Sequence, residues 1–372
     1  MNVVNRHWAP LSLADVQALL KHYGDALAPQ VIEWHSDRPF SSAAIVRTAS
    51  RPVFVKRHAA AIRTPAQLSE EHGYMGWLAR HAVPVSTVLL TSNGTTAVGR
   101  DGWTYEVHEL AAGIDLYRET PSWEPFTSVA HARSAGAMLG RVHRAAYGYH
   151  APARGAHVLV SKCGILRTPD PIGLMETYRQ QRHGLARYFS GRSWQAQVRE
   201  VLRPWHDAIL PLLGQVPALW THNDWHASNL LWDARNRDAG VCAVLDFGLA
   251  DLTNASFDLA TAIERNAIPW LDIQAGVCAE ADLELVGAIL DGYLDEHPLT
   301  LAERRLVAAI LPVVHVEFAL AEVDYYAGLV DDAAYADLAY EDFLIGHAQW
   351  FSSAAGTRLL RYLRESLHDG RH

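Results

Sequence analysis

Cysteine is scarce in this 372-residue chain. Its three residues, Cys163, Cys242 and Cys278, are too few and too scattered for a disulfide framework or a four-cysteine zinc site. They read as buried, reduced side chains. Long apolar runs are missing too: no uninterrupted stretch of about 18 apolar residues occurs. The N-terminus, MNVVNRHWAPLSLADV, lacks a basic flank followed by an apolar stretch. These absences point away from a membrane partner and towards a cytoplasmic location. No low-complexity segment or fixed-period repeat is visible. With 49% hydrophobic and 20% charged residues, the composition excludes a disordered chain.

What is present starts with length, since a chain of this size exceeds what one hydrophobic core supports and two lobes are expected. The net charge of −9 is unevenly placed. Residues 251–372 hold 21 Asp and Glu against 7 Lys and Arg, a balance of −14, which leaves 20 acids and 25 bases, +5, in residues 1–250. A basic part suits anions such as nucleotide phosphates, and an acidic part suits cations. The acidic excess reads equally as the solvated faces of amphipathic helices. Nucleic acid does not suit such a surface as a partner.

SLADVQALLKH predicts a first helix capped by Ser12. QVIEWHS, SAAIVRTA and PVFVKRH read as strands, the last two joined by a turn at Ser50-Arg51-Pro52. A helix is expected from Pro65 to about His81. VSTVLLTSNGTTAV and WTYEVHEL then read as strands with Asn93-Gly94 at a turn. After Ala111-Ala112-Gly113 helices dominate: SVAHARSAGAMLGRVHRAA, a long stretch from about Gly173 to Leu213, and several beyond Leu283. ALWTHND, SNLLWD and VCAVLDFG interrupt them as short apolar strands with polar turns between, which marks a built site.

Asp224 and Asn229 stand five apart in THNDWHASNLLW, and Asp246 opens Asp246-Phe247-Gly248 after an apolar run. Two carboxylates and a carboxamide on neighbouring loops offer hard oxygen ligands for Mg2+, with one carboxylate to spare beside a substrate hydroxyl. His222 and His226, four apart, leave a zinc reading open, with Asp224 or Asp246 as further ligand. Against it, Ser228-Asn229 and the apolar LLW indicate a loop rather than a helix.

This ordered pattern resembles the catalytic and metal loops of the protein-kinase fold and, more closely, the aminoglycoside phosphotransferase and choline kinase superfamily. In that superfamily the loop usually reads His-Gly-Asp-x-x-x-x-Asn and an Asp-Leu-Ala segment follows. Here these are His222-Asn223-Asp224, Ser228-Asn229 and Asp258-Leu259-Ala260, with Asn223 in place of the usual glycine. The resemblance spans about residues 30–265. It implies an α+β, protein-kinase-like two-lobe fold: an N-terminal nucleotide-binding lobe over 1–110, with an antiparallel sheet plus a helix, and a mainly helical C-terminal lobe over 111–372.

The roles it implies follow residue by residue. Asp224 is the catalytic base, and Asn229 and Asp246 hold magnesium. His222 and Asp258 support the loop. Lys56, at the end of VFVKRH, meets the nucleotide phosphates, and Glu71 rather than Glu70 is its partner by its spacing to Val83-Pro84-Val85. YEVHELAAG matches the hinge, so the adenine bonds to backbone near His108 and Leu110. No glycine occurs in HSDRPFSSAAIV, so Ser41 and Ser42 are expected to offer groups to the phosphates. The resemblance thus implies ATP and Mg2+, with ATP between the lobes.

The acceptor is a small hydroxyl compound: an aminoglycoside, amino-alcohol, sugar or homoserine-like molecule. His226 is a candidate pocket residue, and Glu317, Glu322 and Asp324 in HVEFALAEVDYYAG are candidates to bind a cationic acceptor. Two alternatives remain, a bacterial stress-response protein Ser/Thr kinase and a catalytically silent nucleotide-binding protein. Against the first, Asp246 is followed within about a dozen residues by Asp258-Leu259-Ala260, with no Ala-Pro-Glu segment.

Overall fold

Ser12 closes a capping box with Asp15, each side chain bonding the other's backbone N–H, and starts helix α1 (Leu13–Leu20). The computed structural model describes residues 7–368, so residues 1–6 of the N-terminal stretch lie outside the described residues. Strands β1 (Pro29–His35), β2 (Ser42–Thr48) and β3 (Pro52–Ala59) follow, then α2 (Pro65–Arg80), β4 (Ala97–Arg100) and β5 (Trp103–Glu109). The strands form an antiparallel sheet in the order β1-β2-β3-β5-β4. Thr64 caps α2 and Pro65 fills its first turn.

Alternation sorts the two faces of this sheet. Ala44 and Val46, Val53 and Val55, and Tyr105 and Val107 pack with Leu11, Val16, Leu19 and Leu20 in one apolar core beneath α1. Phe54, Lys56 and His58 therefore share the other face, opposite His108, Glu106 and Thr104 of β5. The VSTVLL stretch makes only isolated bridges, at Val85 and Val88, rather than a strand. The tight turn of the β4–β5 hairpin is Asp101-Gly102, both at positive φ (51° and 79°), as a two-residue primed turn requires. Asn93-Gly94 turns the chain earlier, with the Gly94 N–H on the Thr91 carbonyl.

Two compact units result. One comprises Met1–Ala112 with Arg154–Val158 and Ala243–Leu245, and the other comprises Gly113–Ala153, Leu159–Cys242 and Asp246–His372. A boundary at 110 does not foresee the two returning segments, because Arg154 bonds Glu71 and the Val244 N–H bonds the Pro84 carbonyl without any change in composition.

The second unit is mainly helical: α3 (Val129–Ala146), α4 (Gly164–Arg167), α5 (Pro171–Gln181), α6 (His183–Tyr188), α7 (Trp194–Leu213), α8 (Ala255–Ala267), α9 (Trp270–Gln274), α10 (Leu283–Glu296), α11 (Leu301–Ile310) and α12 (Val316–Tyr325). The long helical stretch expected from about Gly173 to Leu213 consists of three helices, with breaks at Arg182 and around Gly191. Helices α3 and α10 approach so closely that a Cβ on Gly136 would lie 2.1 Å from the Ile289 carbonyl oxygen. Short strands β6 (Leu219–Thr221), β7 (Leu230–Trp232), β8 (Val241–Val244) and β9 (Asp251–Thr253) carry the polar loops, β6 pairing with β9.

Two expectations from composition need correcting. Cys163 is buried, but Cys242 is only half-buried and Cys278 is exposed. The helical stretch Leu301–Val330 is long and apolar enough to cross a membrane by length and composition, which its polar residues hide from a count of unbroken runs. In its most apolar window 89% of the residues are buried inside the unit, as in the core helix of a globular fold.

Candidate active site

The loop after β6 is fastened by Asp258, in the first turn of α8. Its fully buried carboxylate accepts the backbone N–H groups of His222 and Asn223, both at 2.8 Å, and meets His143 Nε2 at 3.0 Å. His143 is itself set by Tyr293 through Nδ1 at 2.7 Å. Charge-assisted bonds to buried N–H groups are strong, so this carboxylate defines the loop's path.

Asn223 has φ 60°, the left-handed region that glycine enters freely and asparagine tolerates best among the rest. Its side chain adds what glycine has no atoms to provide. Oδ1 accepts from Thr221 and Thr253 at 2.7 and 3.1 Å, and Nδ2 donates to the Leu249 carbonyl at 3.2 Å. The substitution therefore ties the β6–β9 pair to the loop after Asp246.

Asp224 follows, its carboxylate largely enclosed. Asn229 Nδ2 donates to its backbone oxygen (2.9 Å) and to Oδ2 (3.1 Å), Arg265 donates to Oδ1, and His226 Nε2 lies 3.5 Å from Oδ2. Burial pushes the carboxyl's pKa up, but His226 and the Arg265 guanidinium more than offset this, so it is held far below the usual carboxylate range. Arg265 stacks over the Trp123 ring at 3.8 Å. It was not singled out in the sequence, although it lies two helical turns after Asp258 on the same face of α8, a periodicity that would have found it.

Because the Asn229 amide nitrogen is spent on Asp224, its carbonyl oxygen is the atom left for a cation. Asp246 also sits at positive φ (53°), with Oδ1 accepting the Gly248 N–H at 3.2 Å. This turn orients a carboxylate whose oxygens are hard donors. The two residues fit a magnesium ion chemically.

The zinc alternative does not survive. His222 Nδ1 accepts the Asp224 N–H at 3.2 Å, its ring packs on Phe247, and His226 Nδ1 meets Ser228 Oγ at 3.0 Å. The two rings are held by different partners. Among the described residues, the ligand-like clusters lie elsewhere.

In the N-terminal unit, Lys56 lies on β3 directly across from Glu106. Glu71 is buried on α2 and accepts from Arg154 Nη2 at 3.0 Å, while Arg154 also reaches the Gln67 carbonyl at 3.2 Å. Glu70 is exposed and accepts the Gly155 N–H. Arg154, 83 positions from Glu71, carries no local signal. Ser42 corrects the phosphate-loop expectation: it is buried at the start of β2 and its hydroxyl donates to the Ala9 carbonyl at 2.8 Å. Ser41 lies just before it, half-buried, in the loop between β1 and β2. At the hinge, the Glu109 N–H is taken by the Thr87 carbonyl. The His108 side chain turns inward to Glu106 at 2.9 Å, and Leu110 is exposed beyond the strand.

The candidate acceptor residues on α12 divide by helical phase. Glu317 accepts the Ile165 N–H (2.9 Å) and the Tyr178 hydroxyl (3.2 Å), anchoring α4 and α5. Asp324, seven residues on, accepts the Leu185 N–H at 3.2 Å in α6. Both carboxylates are spent holding helices, which corrects the reading of them as acceptor ligands. Glu322 differs: it is buried and its Oε2 has no hydrogen-bond partner. Burial pushes its pKa up to about 8; Arg265 opposes the shift, and Asp224 and Glu264 add to it.

An antiparallel sheet with one inserted helix, a helical unit, and an Asp-Asn-Asp set on short strands define a kinase-like phosphotransferase. The sequence pattern of the phosphotransferase enzyme family matches residues 36–306, and the chain belongs to that family. It is 25% identical over 235 residues to a homoserine kinase of Caulobacter sp. (strain K31), spanning 62% of this chain and 61% of that one. The match thus covers about three fifths of the relative's length. The fold is shared with a microcompartment-associated aminopropanol kinase (TM-score 0.59, 18% identity, 94% of this chain and 100% of that one). It is also shared with an aminoglycoside phosphotransferase from Alicyclobacillus acidocaldarius (TM-score 0.53, 16% identity, 97% and 98%).

Proposed function

We propose that the protein is an ATP- and Mg2+-dependent kinase that phosphorylates the hydroxyl of a small amino-alcohol, a class that includes homoserine-like compounds. The observation that carries this is Asp224, a largely enclosed carboxylate kept ionised by Arg265 and His226 and oriented by Asn229. Phosphoryl transfer asks for positioning more than for a strong base. A low-pKa carboxylate suits that role, accepting the hydroxyl proton as the oxygen commits to phosphorus. Asn229 and Asp246 would hold magnesium, which when bound neutralises the phosphate oxygens. Lys56 would add charge at the phosphates, and Glu71, fixed by Arg154, would orient it.

Glu322 supports an amine-bearing acceptor. A buried carboxylate with an unpartnered oxygen, electrostatically coupled to Asp224, gains a partner when an ammonium arrives. The names of the similar kinases, for homoserine and aminopropanol, point to the same chemistry. A cytoplasmic location goes with consumption of ATP. The test is coupled ADP release over a panel of amino-alcohols, homoserine, sugars and aminoglycosides. Turnover with an amine-bearing alcohol, lost in Asp224→Ala, is expected. Turnover only with neutral sugars would overturn the acceptor class, and no turnover with any alcohol would overturn the reaction.

A further inference from the structure

The inner face of the N-terminal sheet holds a polar cluster that phosphoryl transfer does not use. Glu106 on β5 receives three imidazoles: His58 Nε2 at 3.0 Å on Oε1, and His72 Nε2 at 2.8 Å and His108 Nε2 at 2.9 Å on Oε2. The four residues are 7%, 1%, 4% and 7% exposed for His58, Glu106, His72 and His108. They come from three elements: His58 on β3, His72 on α2, and Glu106 and His108 two apart on β5. The ligand atoms of His72, Glu106 and His108 all lie within 4.8 Å of one another.

Three separate chain segments each bring an imidazole to this one buried carboxylate, all through Nε2. Imidazole nitrogen with a carboxylate oxygen is the donor set of borderline divalent ions rather than of magnesium. In a tetrahedral zinc site with metal–ligand distances of about 2.0–2.1 Å, neighbouring ligand atoms stand roughly 3.3 Å apart. The N···O distances of 2.8 and 2.9 Å from His72 and His108 to Glu106 Oε2 fall a few tenths of an ångström short of that. Small side-chain movements would therefore admit the ion.

We propose that His72, His108 and Glu106 form a binding site for a zinc-class divalent cation, distinct from Asn229 and Asp246, with His58 bonded to the other Glu106 oxygen as outer support. Three protein ligands leave a fourth position, which a water molecule would fill in a tetrahedral site. The ion would join α2 and β5, and through His58 on Glu106 also β3. His58 lies two residues after Lys56 and His72 directly follows Glu71, so the bound ion would set the strand and helix that carry both.

A second cluster, Glu264 with His315 and His347, serves as an internal control. His347 Nδ1 is 3.1 Å and His315 Nδ1 3.7 Å from Glu264, and Trp270 stacks flat on the His347 ring at 3.6 Å.

The experiment uses full-length protein made without a histidine tag, stripped with chelator, exposed to micromolar ZnCl2 or CoCl2, and desalted. Retention of about one metal per chain is expected, with the intense visible bands of tetrahedral Co2+ and a Tm several degrees above the stripped protein. His72→Ala and Glu106→Gln should each cut retained metal by roughly tenfold or more, while His347→Ala leaves it unchanged. Should either variant fail to fold, His108→Ala and the wild-type Co2+ spectrum decide the matter. Stripped wild-type protein that takes up no metal and shows no Tm shift overturns the proposal, as does metal lost in His347→Ala but kept in His72→Ala. Metal content is read without turnover, so this outcome is independent of the kinase reading.

Discussion

Each unit of the protein holds an enclosed carboxylate with an arginine, and the two do it differently. In the helical unit, Asp224 is gripped by Arg265, by Asn229 five residues on, and by a loop that Asp258 fastens from the same helix as Arg265. In the sheet unit, Glu71 is gripped by Arg154, which returns from 83 positions away. The first arrangement is compact in sequence, its members lying within about four dozen positions. The second is assembled by the fold. The difference teaches that one carboxylate can be held by partners close in sequence, whereas the other depends on a long-range contact.

The comparison breaks most visibly at Asp224. Asp224→Ala should lower kcat by about a thousandfold with nucleotide binding nearly unchanged, as single-turnover kinetics beside a nucleotide titration would read. Next comes the brace. Asp258→Ala orphans two buried N–H groups and should cost about 3 kcal/mol in urea unfolding. In the sheet unit, Arg154→Met leaves Glu71 buried and unpaired, at a cost of about 2 kcal/mol. It should raise the KM for ATP more than it lowers kcat. If kcat alone falls, the two arginines play the same part and the contrast fails.

Glu322 sharpens the comparison through pH. Its folded pKa of about 8 lies above the unfolded value near 4.3, so between those values the folded state binds the extra proton. Stability should therefore fall as pH rises through that window, and level off above it. Glu322→Gln removes the slope: compared with its own level near pH 4, the variant should keep its stability to pH 8 where the wild type loses it. Urea midpoints across pH check this. The smallest effect is expected at Ser42→Ala, about 1 kcal/mol from the lost bond to Ala9, with the KM for ATP unmoved. A raised KM would restore Ser42 to the phosphate site.

Much of the fold was legible because its signals are local. Ser12 and Thr64 announce α1 and α2, alternation marks β2, β3 and β5, and the strand-like breaks around THNDWHASNLLW mark β6 to β8. Illegible were the breaks in the stretch from Gly173 and the spent carboxylates of Glu317 and Asp324. On α12 all three candidate acids look alike in sequence, and only their phase against α4, α6 and α8 separates the two that anchor helices from Glu322.

By itself, then, the sequence determined the order of elements, the spacing of Asp224, Asn229 and Asp246, and the acidic character of the last third, all properties of neighbours along the chain. Tertiary structure alone decided that Arg154 completes the Glu71 site, that Ser42 turns away, and that three histidines from three elements meet on Glu106. Those outcomes depend on which faces pack together, and burial makes a partner for each buried charge worth several kcal/mol.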